Sequence, residues 1–563
     1  MRASRQDPDY VFDVLVIGSG FGGSVAAMRL AQKGYRVGVV EAGRHWQADD
    51  FPRRNWNLRK FLWLPSLGLT GVWRLRLLNK VFILSAAGVG GGSLNYANTL
   101  YVPPDEVFER PSLKRLGGKA ELGPYYALAQ RMLGVTDNPA ATDQDALMRE
   151  TAAELGREGT YRPTPVGIYF GAKGEPAADP YFDGEGPDRL GCELCGECIT
   201  GCRRDAKNSL DKNYLYFARK MGARVFACQR AVDLRPLSPD GSEGWLVRCR
   251  ASTGWRRRAR GLAFRTREVV LAAGTLGTNR LLLDMKRKGR LPALSPHLGR
   301  FVRTNSETLL GVRSLDPRAD FSQGPAITSS VHPDEVTHIE PVRFGAGHDA
   351  MSLLVSALTD GGRRTPRLLR WLGREILHPV RGFRLRRPGG WARQTIILLV
   401  MQTLESDFRL KVRRPWPWPF GTALAAGSDS RRRPPKWIPA GNDFGRRLAR
   451  RIGGLAGNVV SETALNIPIT AHILGGCSFG PEPEEGVIDE RNRVKGYRGL
   501  YVCDGSQIPE NLGVNPALSI TAFTERAMSF VPARKPIRVL AAERRWGLDK
   551  LLTREEAGAS GSN

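Results

Sequence analysis

From Val11 the chain is apolar and largely β-branched through Val14, Leu15, Val16 and Ile17, and then breaks into Gly18-Ser19-Gly20-Phe21-Gly22-Gly23. An apolar run interrupted only by Asp13 and closed by glycine predicts a strand buried on both faces of a parallel sheet. Residues 24–33 follow with Val25, Met28 and Leu30 at helical spacing, and Gly34 ends that helix. Residues 35–40, with Val37, Val39 and Val40, close on Glu41, which predicts a second strand. A similar strand, turn and helix is predicted from Val269-Val270-Leu271-Ala272-Ala273-Gly274-Thr275-Leu276-Gly277. No apolar run reaches the ~20 residues of a membrane span. The nearest approach, residues 61–84, is interrupted by Pro65, Arg74, Arg76 and Lys80.

Each residue of the opening unit has a physical role. Gly18 permits the tight turn, Gly20 lets backbone approach a pyrophosphate, and Gly23 lets the helix pack close to the strand. The first N–H groups of the helix face the phosphates. Glu41, at the end of the second strand, can accept from ribose hydroxyls, which favours FAD or NAD over NADP. Strand, glycine turn, helix, second strand and acid together make a dinucleotide-binding unit.

Length and charge refine this picture. With 563 residues, two large domains are expected, and 41% hydrophobic and 25% charged residues suit a globular chain with a sizeable core. The net charge of +28, from 84 basic and 56 acidic residues, leaves three readings: nucleic acid, an anionic membrane surface, or arginine spread over every surface. No nucleic-acid-binding motif accompanies the charge, so no nucleic-acid partner is expected. Residues 1–9 are short and polar, with no leader pattern, so the expected location is cytoplasmic, with peripheral membrane contact as an alternative. Residues 363–393 bear on that alternative: ten arginines, one acid (Glu375), and Leu368, Leu369, Leu372 and Ile376 on one helical face beside Trp371. Such a stretch suits a helix lying on an anionic bilayer, or a solvated arginine-rich loop.

Three further segments carry a resemblance. Gly88-Val89-Gly90-Gly91-Gly92-Ser93-Leu94-Asn95 is a second glycine cluster; the segment around Gly274 is a third element; Tyr501-Val502-Cys503-Asp504-Gly505-Ser506 with Gly513-Val514-Asn515-Pro516-Ala517 is a fourth. In this order, across residues 14–525, they resemble the signatures of the glucose–methanol–choline (GMC) oxidoreductases, most closely the cholesterol-oxidase-like subgroup. The resemblance implies an α/β fold in which a Rossmann-like FAD-binding domain is interleaved with an α+β substrate-binding domain built on an antiparallel sheet. It implies FAD held by Gly18, Gly20, Gly23, Glu41, Gly90, Gly91, Ser93, Asn95, Gly274, Asp504, Gly505, Asn515 and Pro516.

The same resemblance matches His472, in Asn466-Ile467-Pro468-Ile469-Thr470-Ala471-His472, to the family's catalytic histidine, and Asn515 to its second active-site residue. An imidazole titrates near neutral pH and can take a hydroxyl proton, while an amide can orient the hydroxyl without competing for it. Glu340, in His338-Ile339-Glu340-Pro341, sits shortly before a proline and the apolar residues 350–358, as the isomerising glutamate of cholesterol oxidases does. It is read either as that base or as a solvated or salt-bridged strand residue. The implied function is FAD-dependent oxidation of a hydrophobic secondary alcohol, a 3β-hydroxysteroid such as cholesterol, with isomerisation to the 4-en-3-one if Glu340 acts. The acceptor is oxygen or a redox carrier.

One feature departs from the resemblance. Cys192, Cys195, Cys198 and Cys202 have C-x2-C-x2-C-x3-C spacing, the run that holds iron–sulfur clusters in bacterial ferredoxins. The proline that usually follows is Arg203, and no second run supplies another cluster. Iron–sulfur, zinc and metal-free thiols all stay open. An iron–sulfur centre would suit a dehydrogenase of another lipid or terpenoid alcohol that passes electrons to a carrier.

The expected layout is a FAD domain from 10–110, 203–310 and 460–530, a substrate domain at 311–459, an insertion or lid with the cysteine-rich loop at 111–202, and a basic, partly disordered tail at 531–563. Pro415-Trp416-Pro417-Trp418-Pro419 is expected to form a rigid loop near the substrate mouth.

Overall fold

A computed structural model describes residues 11–254, 261–362, 365–414, 422–427, 432–480 and 485–554. The expected proline–tryptophan loop at 415–419 lies outside the described residues. So does the end of the tail, 555–563.

The first strand, β1 (Phe12–Ile17), is buried along its whole length and pairs in parallel with β2 (Val37–Val40) on one side and Ala263–Leu271 on the other. Arg224–Phe226 extends the sheet beyond β2. Ala263–Leu271 is shared: its first half pairs antiparallel with Trp245–Ala251, its second half parallel with Leu500–Val502. The terminal segment of the chain thereby joins the sheet of β1, one strand away from it and more than 480 residues away in sequence.

The helix α1 spans Phe21–Gln32, starting earlier than its apolar spacing alone indicates, because Gly20 is already its N-cap. The glycines explain how close it lies. A Cβ on Gly18 would meet the Ala272 carbonyl oxygen at 2.1 Å, and one on Gly23 would meet the Gly18 carbonyl oxygen at 2.0 Å. Gly18 also has φ +106°, which only glycine adopts without strain.

A buried ion network ties α1 to the end of the chain. The Arg29 guanidinium donates to both carboxylate oxygens of Glu525, at 2.6 and 2.7 Å, and to Glu543, with every side chain almost fully buried. Tyr214 donates to Glu525 at 2.6 Å. This network corrects the expected tail. Residues up to 554 pack on the FAD domain, with Leu540, Ala542 and Leu552 in its core. The expected insertion is also divided: Gly118–Met132 packs along Ala517–Ser529 and belongs to the same core, because Leu122, Tyr125, Tyr126, Ala129 and Met132 form one buried face.

The second domain is a five-stranded antiparallel sheet, ordered Thr337–Val342, Thr395–Gln402, Thr308–Ser314, Gly454–Val459 and Val355–Ala357. Strand alternation gives it two faces. Leu310, Val312, Ile339, Ile396, Leu398 and Val400 pack with Phe444 and Leu448 of the helix Pro439–Arg451. Residues one step out of phase, Leu309, Glu340 and Leu399, point to the opposite face, and register places Leu399 between the other two. That face meets the FAD domain. Pro341 is tolerated because Thr337–Val342 is the edge strand.

Candidate active site

Four side chains from distant parts of the chain converge at the junction of the two domains. His472 follows the short strand Ile469–Thr470, which pairs in parallel with Val81–Ala86. Its Nδ1 lies 2.6 Å from Oε2 of Glu307, and its Nε2 lies 3.5 Å from the side-chain nitrogen of Asn515. That Asn515 nitrogen also donates to Glu340 Oε2 at 3.3 Å. The structure thus brings His472, Asn515 and Glu340 together, and adds Glu307, which no sequence motif marks.

Local structure fixes each group. Glu307 stands one residue before the strand Thr308–Ser314, on the face that also carries Glu340. It accepts from the backbone N–H of Ala471 as well as from the imidazole. Asn305 and Ser306 before it both have positive φ. Asn305 uses that turn to hold the other half of the site: it donates to the Val514 carbonyl at 2.9 Å and accepts from the Gly513 N–H at 2.8 Å. Pro516 is the N-cap of Ala517–Ser529, so Asn515 sits at the mouth of that helix.

The electrostatics separate the two acids. Burial pushes the His472 imidazole toward neutrality. The Glu307 carboxylate, assisted by Glu340, outweighs burial and holds its pKa above the ordinary histidine value. With Nδ1–H donating to Glu307, Nε2 presents its lone pair to the site and can accept a proton. Glu340 is fully buried, and that burial pushes its carboxyl up to about 8 against the pull of His472 and Asn515. Glu340 Oε1 and Asn515 Oδ1 are buried and have no hydrogen-bond partner. His338 lies behind Glu340, its Nε2 3.9 Å from Oε1, and stacks on His332 with ring centroids 4.7 Å apart. Burial, reinforced by His332, pushes the His338 pKa down to about 3, so it stands there uncharged.

The nucleotide cleft is adjacent. A Cβ on Gly91 would come within 2.5 Å of the Gly20 Cα, so the two glycine clusters face each other across backbone. Gly90 N–H donates to the Ser19 hydroxyl at 3.1 Å, and that hydroxyl donates to Glu41 at 2.8 Å. Glu41 also accepts from the Ser19 and Gly43 N–H groups, which fixes its carboxylate at the end of β2. The N-terminus of α1 has neither a side-chain cap nor an acid in its first turn, and a Cβ at Gly20 would meet nothing nearer than Gly91 at 4.0 Å. Uncapped N–H groups beside open space fit the diphosphate of a dinucleotide.

Other expected cofactor residues shape this cleft from behind. The Ser93 hydroxyl is taken up by the Gly90 carbonyl and the Leu210 N–H. Asp504 accepts from Ser506 and Thr278, tying the terminal segment to the helix Gly274–Arg287. Gly274 opens that helix with φ +75°, and a Cβ on Gly505 would crowd the Thr275 hydroxyl at 2.7 Å. Asn95 is buried at the C-cap of the turn Gly91–Leu94. The four cysteines of the 192–202 loop are not part of this centre; they line a cavity of their own.

Comparison with known proteins finds relatives of this chain. A family model described as GMC oxidoreductase matches residues 457–524, and one described as NAD(P)-binding Rossmann-like domain matches residues 16–53. A cholesterol oxidase of Mycobacterium tuberculosis is 48% identical over 538 residues, covering 93% of this chain and 91% of its own. A cholesterol oxidase of Acinetobacter baumannii is 44% identical over 533 residues, covering 93% and 95%. Among solved structures, a pyridoxine 4-oxidase from Mesorbium loti superposes with a TM-score of 0.58 at 16% identity, covering 91% of this chain and 97% of that one, a likeness of fold.

Proposed function

The chain belongs to the GMC oxidoreductases, FAD-dependent enzymes acting on alcohol CH–OH groups, and from that premise we propose that its substrate is a hydrophobic secondary alcohol, a 3β-hydroxysteroid such as cholesterol. The product is the 3-ketone, which the same site isomerises to the conjugated 4-en-3-one. The observation that carries this reading is the meeting of His472, Asn515 and the buried Glu340 around one point.

FAD, when bound, supplies the acceptor for the hydride that leaves the carbinol carbon. Gly18, Gly20 and Gly23 with the start of α1 would hold its diphosphate, and Glu41 its ribose. Gly90, Gly91 and Asn95, with Asn515 and Pro516, would line its ring. Ser93, Gly274, Asp504 and Gly505 would keep those segments in register. The chain's own contribution is proton handling and positioning. The Asn515 amide and His472 Nε2 orient the hydroxyl, and Nε2 takes its proton as the carbinol C–H bond breaks. Glu307 on the opposite ring nitrogen fixes the tautomer and stabilises the imidazolium that forms. Glu340 in its ionised form then removes a proton from C4 of the enolisable ketone. As the double bond shifts it returns that proton to C6, and its raised pKa suits a base that must give the proton back.

Substrate access gives the basic surface a use. Arg367–Leu377 and Pro379–Arg386 form two helices whose apolar side chains stand in water: Leu369 is 56% exposed, Ile376 78%, Val380 61% and Phe383 65%. Glu375, the only acid there, is paired with Arg386 at 2.6 and 2.7 Å. We assign this patch to an anionic bilayer in which the sterol dissolves.

The test is epimer discrimination. The 3β-hydroxy-5-ene sterol should turn over and its 3α epimer should not, because inverting the carbinol carbon moves the hydroxyl away from Nε2. Equal turnover of both would sink the sterol assignment. A second reading, in which electrons leave through a metal centre to a carrier rather than to oxygen, is favoured by one observation: four thiols line a single cavity.

A further inference from the structure

The loop containing Cys192, Cys195, Cys198 and Cys202 is folded so that all four cysteines line one cavity. Sequence spacing alone leaves the fourth cysteine free to serve another site, as in two-cluster ferredoxins. The fold brings it back to the first three. Left-handed residues make the turns: Leu194 at φ +57°, Gly196 at +71° and Gly201 at +107°. The loop is clamped from outside, since a Cβ on Gly196 would strike the Ser322 carbonyl oxygen at 2.2 Å and one on Gly201 the ring of Phe51 at 1.9 Å.

Three properties of the cavity suit a cluster. Part of the wall is apolar: buried Val166, Ile168 and Ala206, with Phe170, pack against Cys192, Cys198 and Cys202. Backbone donates to sulfur, with Leu194 N–H 3.4 Å from Cys192 Sγ, the kind of contact that tunes cluster potentials. A buried cation stands beside it: Lys207 lines the cavity, its Nζ donating to the carbonyls of Cys198, Leu94 and Tyr96.

The C-x2-C-x2-C-x3-C spacing along the chain is the one that holds iron–sulfur clusters in bacterial ferredoxins, and it bears on the choice of metal. All eight cysteines are unpaired. Among the described residues, no three His, Cys, Asp or Glu side chains converge to hold a single metal ion. Tetrahedral zinc, with Zn–S near 2.3 Å, draws its thiolates to about 3.8 Å from one another. A [4Fe–4S] core instead places each thiolate on a separate iron and leaves them further apart around a shared centre.

We propose that Cys192, Cys195, Cys198 and Cys202 hold a [4Fe–4S] cluster, and that it carries electrons out of the active site. The cavity is well placed for this, since Lys207 joins it directly to Leu94 and Tyr96 of the second glycine segment. The relay rests on the proposed alcohol oxidation; the cluster itself does not. Each alcohol oxidised to a ketone yields two electrons and two protons. The cluster passes the electrons one at a time, cycling between its 2+ and 1+ states, to two molecules of a one-electron carrier of the ferredoxin or cytochrome class. Both protons reach water.

The full-length protein, purified without oxygen, is analysed for iron, zinc, acid-labile sulfide and FAD, and reconstituted anaerobically with ferrous iron and sulfide if iron is low. The expected content is about four irons and four sulfides per chain, with a paramagnetic signal on reduction by dithionite. Cys195→Ser and Cys198→Ser should each lose iron at least tenfold while FAD content stays constant. Stoichiometric zinc, or thiols that take up no iron even on reconstitution, would overturn the cluster. If the cluster is present and a competent alcohol substrate bleaches the flavin without reducing it, the relay is overturned and the cluster stands. If no alcohol bleaches the flavin, the metal analysis still decides the cluster and only the proposed activity fails.

Discussion

Glu307 Oε2 lies 2.6 Å from Nδ1 of His472, across 165 residues of sequence, and both sit at the junction of the nucleotide sheet and the antiparallel sheet. The carboxylate decides which ring nitrogen keeps a proton, and so which one can receive another. Burial alone would leave the imidazole a poor base; Glu307 reverses that.

Replacing Glu307 tests that role. A general base must be neutral to act, so the rate rises with pH as His472 loses its proton. With its pKa raised, this limb lies above the ordinary histidine value of about 6.5. Glu307→Gln should move the limb to lower pH while reducing the plateau of kcat/KM about 10- to 100-fold, and His472→Ala should cost about 10²–10⁴-fold. A plateau loss with an unmoved limb would make Glu307 a merely structural residue.

Glu340 separates oxidation from isomerisation. Glu340→Gln should keep most of the oxidation rate and release the unconjugated ketone. In the wild type the base must be ionised, and burial holds its pKa near 8. The conjugated fraction should therefore increase as pH rises through about 8, measured by product chromatography. A pH-independent product ratio would count against Glu340 as the base.

The same carboxyl should limit stability. A folded-state pKa raised above the unfolded value means that stability is full at low pH and is lost as pH rises through the folded pKa. Glu340→Gln should therefore raise the melting temperature at pH 9, by the equivalent of a few kcal/mol at most given 1.36 kcal/mol per pKa unit. The gain should shrink toward pH 5. A destabilised variant at pH 9 would contradict the burial cost.

Arg29 should behave in the opposite way. Its partners Glu525 and Glu543 are buried, so Arg29→Met leaves two carboxylates without their cation. Breaking a buried pair costs about 3–5 kcal/mol, and chemical denaturation should show a loss of that order. A change below about 1 kcal/mol would mean that water reaches this network.

The exposed helices give a binding prediction. Ile376→Asp with Phe383→Asp should lower affinity for anionic vesicles at least about tenfold, since each apolar side chain withdrawn from water contributes about 1.5–3 kcal/mol. Turnover of substrate in detergent should be unaffected. Vesicle binding that survives both changes would remove the patch from the account.

How much of this could be read from the sequence follows from how local each feature is. Gly18 and Gly23 were legible because a tight turn and a close helix–strand approach are needed within a few residues of one another. The GMC resemblance led to His472 and Asn515 for the same reason, each being embedded in its own short motif. Glu340 was legible as a residue type before a proline, but its burial depends on which face of an edge strand it takes. Glu307 had no such signal: the polar run Asn305-Ser306-Glu307 acquires meaning only when the strand after it is laid beside Thr395–Gln402. The high charge of residues 531–554 reads as a tail in the sequence, whereas in the fold the charge of Glu543 is answered by Arg29 from the other end of the chain. The closure of Cys202 onto the first three cysteines rests on left-handed turns at Leu194 and Gly201, one of them at a residue type that rarely takes that conformation.

The central claim, that His472, Asn515 and Glu340 act together on a sterol alcohol, is tested most directly by anaerobic mixing of the FAD-loaded protein with cholesterol in detergent. The flavin absorption band is followed and the product extracted. The account predicts bleaching of the band in the wild type with the conjugated enone in the extract, and slow or no bleaching in His472→Ala. A flavin that stays oxidised in the wild type while FAD is bound would contradict the sterol assignment.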